Sequence, residues 1–341
     1  TLKKGLALMP VKFGISFNTP KLNQAGALVH VYADGSVHLN HGGTEMGQGL
    51  FTKVAQVVAS VFQIDLDNIK ISATRTDKVP NTSATAASSG SDLNGMAAFN
   101  AANTIKDRMT GVAAEIFDTD ADQVEFRQNR VYAGNESLSF SELAEQTYNR
   151  RVQLSAAGFY STPGLHWDAK SLIGNPFYYF TYGAAIAEVV IDTLTGESRV
   201  LRADMLQDCG NSLNPAIDIG QIEGAFVQGQ GWLTSEELVW NDRGQLLTHG
   251  PSTYKIPGSR DVPPVFNVHI LEDAPNRFPT VFRSKAVGEP PLMLAISVWL
   301  AIRDAVSRTA DHRHFVKLDA PATPEVILNA IEDVSRRDSV Q

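Results

Sequence analysis

GALVHVYADGSVHLN (Gly26–Asn40), running on into HGGTEMGQGL (His41–Leu50), decides how this chain is read. Two runs that alternate apolar and polar residues flank Asp34-Gly35, a dipeptide that closes a tight two-strand turn at little steric cost. A hairpin is therefore expected. Its second strand leads into a loop with glycines at 42, 43, 47 and 49, and then into Leu50 to Phe62, where Val54, Val57, Val58 and Val61 recur at helical spacing. The order is strand, strand, glycine-rich loop, helix.

A similar order returns downstream. Ala185 to Asp192 and Ser198 to Met205 alternate around Thr195-Gly196. A Gly/Asn/Pro loop follows, then Gly220-Gln221-Ile222-Glu223-Gly224 and a helix through Gln228. We read a weak internal repeat and an α+β fold of two layers. It has two lobes, residues 1–150 and 151–341, each with hairpin, Gly-rich loop and helix. Between the units, Ile69 to Ala73 reads as a strand and Pro80 to Gly95 as a loop without a periodic core pattern. A helix is expected over Met96 to Phe117, and another near Ser139, where Ser139 and Glu142 have capping-box spacing. Val152 to Pro176 is irregular and links the lobes. The chain closes with an apolar helix from Pro290 to Ala305, a short helix over Pro324 to Val334, and a charged tail.

Composition narrows the function. The 341 residues are 43% hydrophobic and 19% charged, which excludes a disordered chain. The net charge of −8 provides no basic field for a phosphate backbone, so no nucleic-acid partner is expected. Cys209, the single cysteine, cannot form an internal disulfide or hold an iron–sulfur cluster, which favours a reducing, cytoplasmic setting. Leu292 to Ile302 is too short to cross a bilayer, and no membrane partner is expected. Thr1 in place of Met reads as a piece of a longer or processed chain.

Several constellations could carry chemistry. The glycine loop lets backbone approach a ligand and points N–H groups at it, which suits a phosphate or a pterin; a plain strand-to-helix connection is the alternative. It is neither a Walker loop nor a dinucleotide fingerprint. Gln48 adds a neutral donor and acceptor. Thr82 to Ser91 offers hydroxyls and small side chains, and Gln221 and Gln228 repeat the glutamine chemistry. Glu289 stands directly before the helix started by Pro290 or Pro291. There the helix dipole favours its carboxylate while desolvation opposes it, a balance that suits a general base. A structural carboxylate bonded to backbone amides is the other reading. Glu45 is a weaker second candidate. The eight histidines show no metal-ligand spacing, and no nucleophile elbow is present.

Taken together, FGISF (Phe13–Phe17), HGGTEMGQGL (His41–Leu50), PNTSATAASSGSDLNG (Pro80–Gly95), SLNPAIDIGQIEGAFVQGQG (Ser212–Gly231), GPSTYKIP (Gly250–Pro257) and KAVGEPPLMLA (Lys285–Ala295) resemble the molybdenum hydroxylase (xanthine oxidase) family. The likeness keeps the family's order over nearly the whole chain. It is nearest to the C-terminal part of the molybdopterin-binding portion of the xanthine dehydrogenases, and Thr85-Ala86-Ala87-Ser88 looks more like these than like aldehyde oxidases.

The resemblance implies a molybdenum–pterin cofactor whose metal is held by the pterin dithiolene, so no protein ligand to the metal is expected. It implies Glu289 as the base that deprotonates a hydroxo group whose oxygen adds to an electrophilic carbon of a purine. Met46, Gly47, Gln48, Thr85, Ala86, Ala87, Ser88, Gly90 and Gln221 would surround the cofactor, with Ala87 near the metal. Phe17 would lie against a flat substrate, with Asn18 and Leu22 beside it. The activity implied is hydroxylation of hypoxanthine and xanthine to urate; an aldehyde or another N-heterocycle is the alternative substrate. The family places a second glutamate, an arginine and a glutamine before the point where this sequence starts. The FAD and two [2Fe–2S] clusters require other domains or another subunit, as the single cysteine also demands. The chain alone is thus expected neither to retain cofactor nor to turn over, and a dimer of complete units is expected.

Overall fold

The computed structural model describes residues 1–79 and 81–339. Pro80, the first residue of the expected loop, and the last two residues of the tail lie outside the described residues. The elements in chain order are β1 (Leu2–Ile15), β2 (Gln24–Val31), β3 (Val37–His41), α1 (Leu50–Phe62), β4 (Ile69–Ile71) and α2 (Gly90–Phe117). Then come β5 (Val124–Arg127), β6 (Arg130–Ala133), β7 (Glu136–Ser139), α3 (Phe140–Asn149) and β8 (Ser155–Ser161). After β9 (His166–Asp168) and β10 (Ile173–Asn175) the chain continues with β11 (Tyr179–Asp192), β12 (Ser198–Gln207), α4 (Pro215–Thr234), β13 (Val265–Ile270), α5 (Ile296–Ser307) and α6 (Pro324–Asp338).

The α+β character follows the expectation, with helices laid against two four-stranded sheets. One sheet runs β4-β3-β2-β8, and the hairpin β2–β3 turns at Asp34-Gly35 with Val31 opposite Val37. Val29, Val31, Val37 and Leu39 point inward and share a core with Val54, Val58 and Phe62 of α1 and Ala97, Ala101 and Ile105 of α2. The small residues of α2 have a purpose in this packing. A Cβ at Gly158 of β8 would stand 2.0 Å from the Ala97 carbonyl oxygen, so strand and helix meet backbone to backbone.

The second sheet runs β1-β11-β12-β13, with Leu2 opposite Asp192 and Ile15 opposite Tyr179. Its inner face, including Ala185, Ala187, Val189, Ala203 and Met205, packs on Ile222 and Phe226 of α4 and on Val298, Ala301 and Ile302 of α5. Sheet membership crosses the division expected at residue 150, because β1 joins the second sheet and β8 the first.

Three expectations are corrected. The stretch expected to remain a loop through Gly95 is helical from Gly90, where Leu93 N–H donates to the Ser89 carbonyl and Asn94 Nδ2 donates to that of Gly90. Ser, Asp and Asn favour turns when isolated, but they also suit the first turn of a helix. Within Val152 to Pro176, expected to be irregular, β8 is a full strand of the first sheet, and β9 and β10 form a hairpin. The helix expected over Pro290 to Ala305 opens as a 3-10 segment, Pro290–Ala295, and turns α-helical only at Ile296. That helical run continues to Ala310. Its 21 residues are long and apolar enough to cross a bilayer, unlike the shorter stretch read from sequence. The run lies instead against the second sheet, where a Cβ at Gly5 would stand 1.9 Å from the Ala301 oxygen. The capping box at Ser139 and Glu142 is present as expected.

Candidate active site

The starts of four helices converge on one cavity of about 360 Å³. Leu50 and Lys53 come from α1, Gly90 and Ser91 from α2, Asp218 and Gln221 from α4, and Glu289 immediately precedes Pro290. Each start turns the positive end of a helix dipole toward the same space, so the cavity favours an anionic or strongly polar guest. Met46, Gln48, Thr85, Ala86, Ala87 and Ser88 line it as well. Every cofactor residue expected from sequence is thereby brought to the wall or, for Gly47, between two residues that line it.

Ser88 and Glu289 are directly coupled. The Ser88 hydroxyl donates to Glu289 Oε2 at 2.9 Å and accepts the Glu289 backbone N–H at 2.8 Å. Ala87 and Ser88 both take left-handed backbone, with φ of 55° and 54°. Two consecutive non-glycine residues in that region are held there by their surroundings. Gly288 fits closely against this pair, since a Cβ on it would stand 3.2 Å from Ser88 Oγ. Glu289 is exposed, so the desolvation expected from its place before an apolar helix is absent.

The glycine loop differs from its sequence reading in one important respect. Its N–H groups are not offered to a ligand. Glu45 Oε1 accepts from Gly47 and Gly49, at 2.8 and 3.0 Å, and Glu45 Oε2 from Phe51 at 2.9 Å. Burial pushes this carboxyl up, but the N–H bonds from Phe51, Gly49, Gly47 and Gln48 outweigh it and hold Glu45 below its ordinary value. Glu45 thus caps the start of α1. Gln48 also turns inward, accepting from Met46 N–H and donating to the Thr44 carbonyl. The hydroxyl-rich loop is similarly committed: Thr85 Oγ1 accepts from Thr44 N–H, and Ser89 Oγ donates to the Ala86 carbonyl.

Phe17, Asn18 and Leu22 are not among the residues that line the cavity. They sit in the turn between β1 and β2, which Asn23 ties by accepting Phe17 N–H at 2.8 Å and donating to the Phe17 carbonyl at 2.9 Å. The turn leaves β1 at Ile15, which packs with Tyr179 and Ala286.

Sequence reasoning missed the charged floor. Lys53 and Asp218 form a buried ion pair between α1 and α4, and both line the cavity. Lys285, also in the wall, pairs with buried Asp208 at 2.5 Å. A lone lysine among the valines of α1 was the available signal for the first pair. Cys209 is fully buried beside these groups, and burial pushes its thiol up to about 12, with Asp218 adding to the shift. It is a packed, unreactive residue. Among the described residues no three His, Cys, Asp or Glu side chains gather as a metal site.

Comparison with known proteins places this geometry. Residues 1–263 match the molybdopterin cofactor-binding domain family. The chain is 50% identical to a xanthine dehydrogenase/oxidase of Mus musculus and 51% identical to a xanthine dehydrogenase of Oryza sativa subsp. japonica. In each case 97% of this chain aligns, and it spans only about a quarter of the relative's length, 24% and 23%. The fold is shared with a CO dehydrogenase from Oligotropha carboxidovorans (TM-score 0.84, 21% identity, 98% of this chain and 41% of that one). It is shared also with a quinoline 2-oxidoreductase from Pseudomonas putida 86 (TM-score 0.83, 24% identity, 97% and 42%). With three-quarters of its length matched by the family and a cavity ringed by helix starts, the chain belongs to the molybdopterin cofactor-binding domain family.

Proposed function

We propose that this chain is the C-terminal part of the molybdenum-binding portion of a cytoplasmic xanthine dehydrogenase, which hydroxylates hypoxanthine and xanthine to urate with water-derived oxygen. The observation that carries the reading is Glu289 on the cavity wall, whose exposed carboxylate accepts the Ser88 hydroxyl and whose backbone N–H donates back to it. Half-identity with xanthine dehydrogenases over 97% of the chain supports the substrate class.

The residues present fit a molybdenum–pterin group. Four helix starts favour its negative charge, and Ala86, Ala87 and Gly90 leave room against the wall. At Gly47 no atom lies within 4 Å of where a Cβ would stand, so the loop is open on that side. Met46, Gly47, Gln48, Thr85, Ala86, Ala87, Ser88, Gly90 and Gln221 are the residues that would hold the group, and Ala87 would lie near the metal. When bound, the group supplies the oxidising centre and the oxygen for hydroxylation at an electrophilic carbon.

The chain's own residues do the remaining work. Glu289 accepts a proton at its carboxylate, and Ser88 sets the direction in which the free lone pairs of Oε1 and Oε2 point. Lys53 and Asp218 neutralise each other as a buried ion pair at the cavity. Phe17, Asn18 and Leu22 are proposed to meet the substrate from the β1–β2 turn, in which Asn23 fixes the backbone of Phe17. The remainder of the molybdenum-binding portion, the FAD and [2Fe–2S] domains and a dimeric assembly of complete units belong to the proposal as partners.

Glu289→Ala tests it. In the complete enzyme at matched molybdenum content, xanthine turnover is expected to drop by about three orders of magnitude, the range of a positioned proton acceptor. Near-normal turnover makes Glu289 a helix-start carboxylate only. Aldehyde turnover without xanthine turnover in the unaltered enzyme overturns the substrate class.

A further inference from the structure

The segment Ser284–Glu289 is fastened to the fold through the N–H groups of three of its residues. Lys285 N–H donates to the Cys209 carbonyl at 2.8 Å, Ala286 N–H to the Tyr179 hydroxyl at 2.8 Å, and Glu289 N–H to Ser88 Oγ at 2.8 Å. The middle fastening continues further. The Tyr179 hydroxyl in turn donates to Asp92 Oδ2 at 2.6 Å.

Tyr179 opens β11 and Asp92 lies in the first turn of α2, one residue beyond Ser91 of the cavity wall. Both are buried, at 2% and 8% exposure. A phenol oxygen that accepts one N–H and donates to one carboxyl has both roles filled, so neither the ring nor its partners can shift without losing a buried bond. The start of α2 therefore grips the 284–289 segment at two points. Ser88, just before the helix, holds Glu289 directly, and Asp92, just inside it, holds Ala286 through Tyr179.

We infer that Asp92 and Tyr179 are positioning residues, a two-bond strut that sets the place of the Ala286–Glu289 segment, and hence of the Glu289 carboxylate, relative to the start of α2. The inference rests on Glu289 being the proton acceptor. Charge states agree with the direction of the strut. Burial pushes the Tyr179 phenol well above its ordinary value, and nearby Asp92 adds to the shift, so Tyr179 keeps its proton and donates. Burial pushes Asp92 up to about 7 against the Tyr179 hydrogen bond and the Lys53 charge. Ionised or protonated, its carboxyl retains an oxygen able to accept.

Tyr179→Phe removes the hydroxyl and keeps the ring. In the full-length protein prepared without molybdenum cofactor, amide hydrogen exchange over residues 284–291 is expected to quicken about tenfold, the loss of roughly one net hydrogen bond, while residues 100–117 stay unchanged. In the loaded enzyme, kcat for xanthine is expected to fall with KM nearly constant. In a Glu289→Ala background the same change is expected to add no further loss, because both act through one group. Unchanged exchange over 284–291 overturns the strut. A full additional loss on top of Glu289→Ala overturns its link to Glu289. Asp92→Ala and Asp92→Asn serve as the second pair: Ala is expected to speed exchange, whereas Asn, which keeps an acceptor, is expected to restore protection. Equal exchange in the two also overturns the strut. If Glu289→Ala itself leaves turnover intact, the reading of Glu289 fails while the exchange result stands.

Discussion

The two hairpin–loop–helix units meet one requirement, satisfying the first N–H groups of a helix, with different chemistry. In the first, Gly49 before α1 has left-handed backbone and no side chain to cap with, so Glu45 folds back from the loop and takes three N–H groups. In the second, Asn214 Oδ1 accepts Ile217 N–H at 3.0 Å and Pro215 removes one donor outright. The second unit needs one ordinary cap and the first a carboxylate. The difference teaches why glycine richness misleads. Gly49 is required by its left-handed backbone and by the Ile217 side chain of α4, from which a Cβ there would stand 2.8 Å, demands of the fold rather than of a ligand. With the N–H groups already engaged, recognition at the cavity passes to side chains and to the start of α2.

The units are joined at Lys53–Asp218 and at Asn214 Nδ2, which donates to Gln56 Oε1 at 3.1 Å. The largest expected effect is at this joint. Asp218→Ala in the full-length protein leaves the Lys53 ammonium buried without a partner and is expected to cost about 3–5 kcal/mol, read from amide exchange of α1 and α4. The double variant Lys53→Met, Asp218→Leu is expected to recover most of that, since an apolar pair of similar size needs no compensation. A double variant as unstable as Asp218→Ala would break the idea that the loss lies in the unpaired charge.

Next in size is the contrast between the caps. Glu45→Ala is expected to cost about 1–3 kcal/mol, because several N–H groups lose their acceptor together. Asn214→Ala is expected to cost about 1 kcal/mol. Both are read as faster exchange in the first turns of α1 and α4. Equal losses at the two positions would break the comparison.

Local chemistry was legible and distant chemistry was not. The Asp34-Gly35 turn, the Ser139 capping box and the helix at Leu50 depend on residues within a few positions of one another, and each is where the sequence put it. β1 went unread because its partner is β11, and its Lys, Gly and Pro residues hide the alternation that pairing imposes. The start of α4 was read too late because glycines suggest loops. Yet Gly229 is helical, and a Cβ there would stand 2.6 Å from the Leu292 oxygen, so glycine permits close approach of α4 to the 3-10 segment. At the site, the motif resemblance singled out Glu289 and the Thr85–Ser88 run, and the fold brings both to the cavity lining. The resemblance could not show that Ser88 binds Glu289, or that Lys53 meets Asp218, because residues 201 and 165 positions apart meet only once the chain is folded.

The smallest expected effect is a near cancellation, and it sharpens the comparison within the first unit and the helix that packs on it. His41, at the entry of the glycine loop, accepts Gly43 N–H at Nδ1, and burial pushes it down to about 4 while Glu45 pulls the other way. The unfolded chain binds this proton below about 6.5 and the folded chain refuses it until about 4, so His41 makes stability fall as pH drops through that window. Asp92 has the opposite sign. It keeps its proton in the fold up to about 7, while the unfolded carboxyl releases it near 3.8, so its contribution is lost as pH rises between those values. Each slope is at most about 1.4 kcal/mol per pH unit, and between pH 4 and 6.5 they oppose. The unaltered protein is expected to show nearly flat exchange-derived stability of α1 and α2 across that window. Asp92→Asn is expected to lose stability toward acid and His41→Asn toward neutral pH. If Asp92→Asn stays flat, His41 is not held neutral by burial, and the glycine loop lacks the dry entry that the structure gives it.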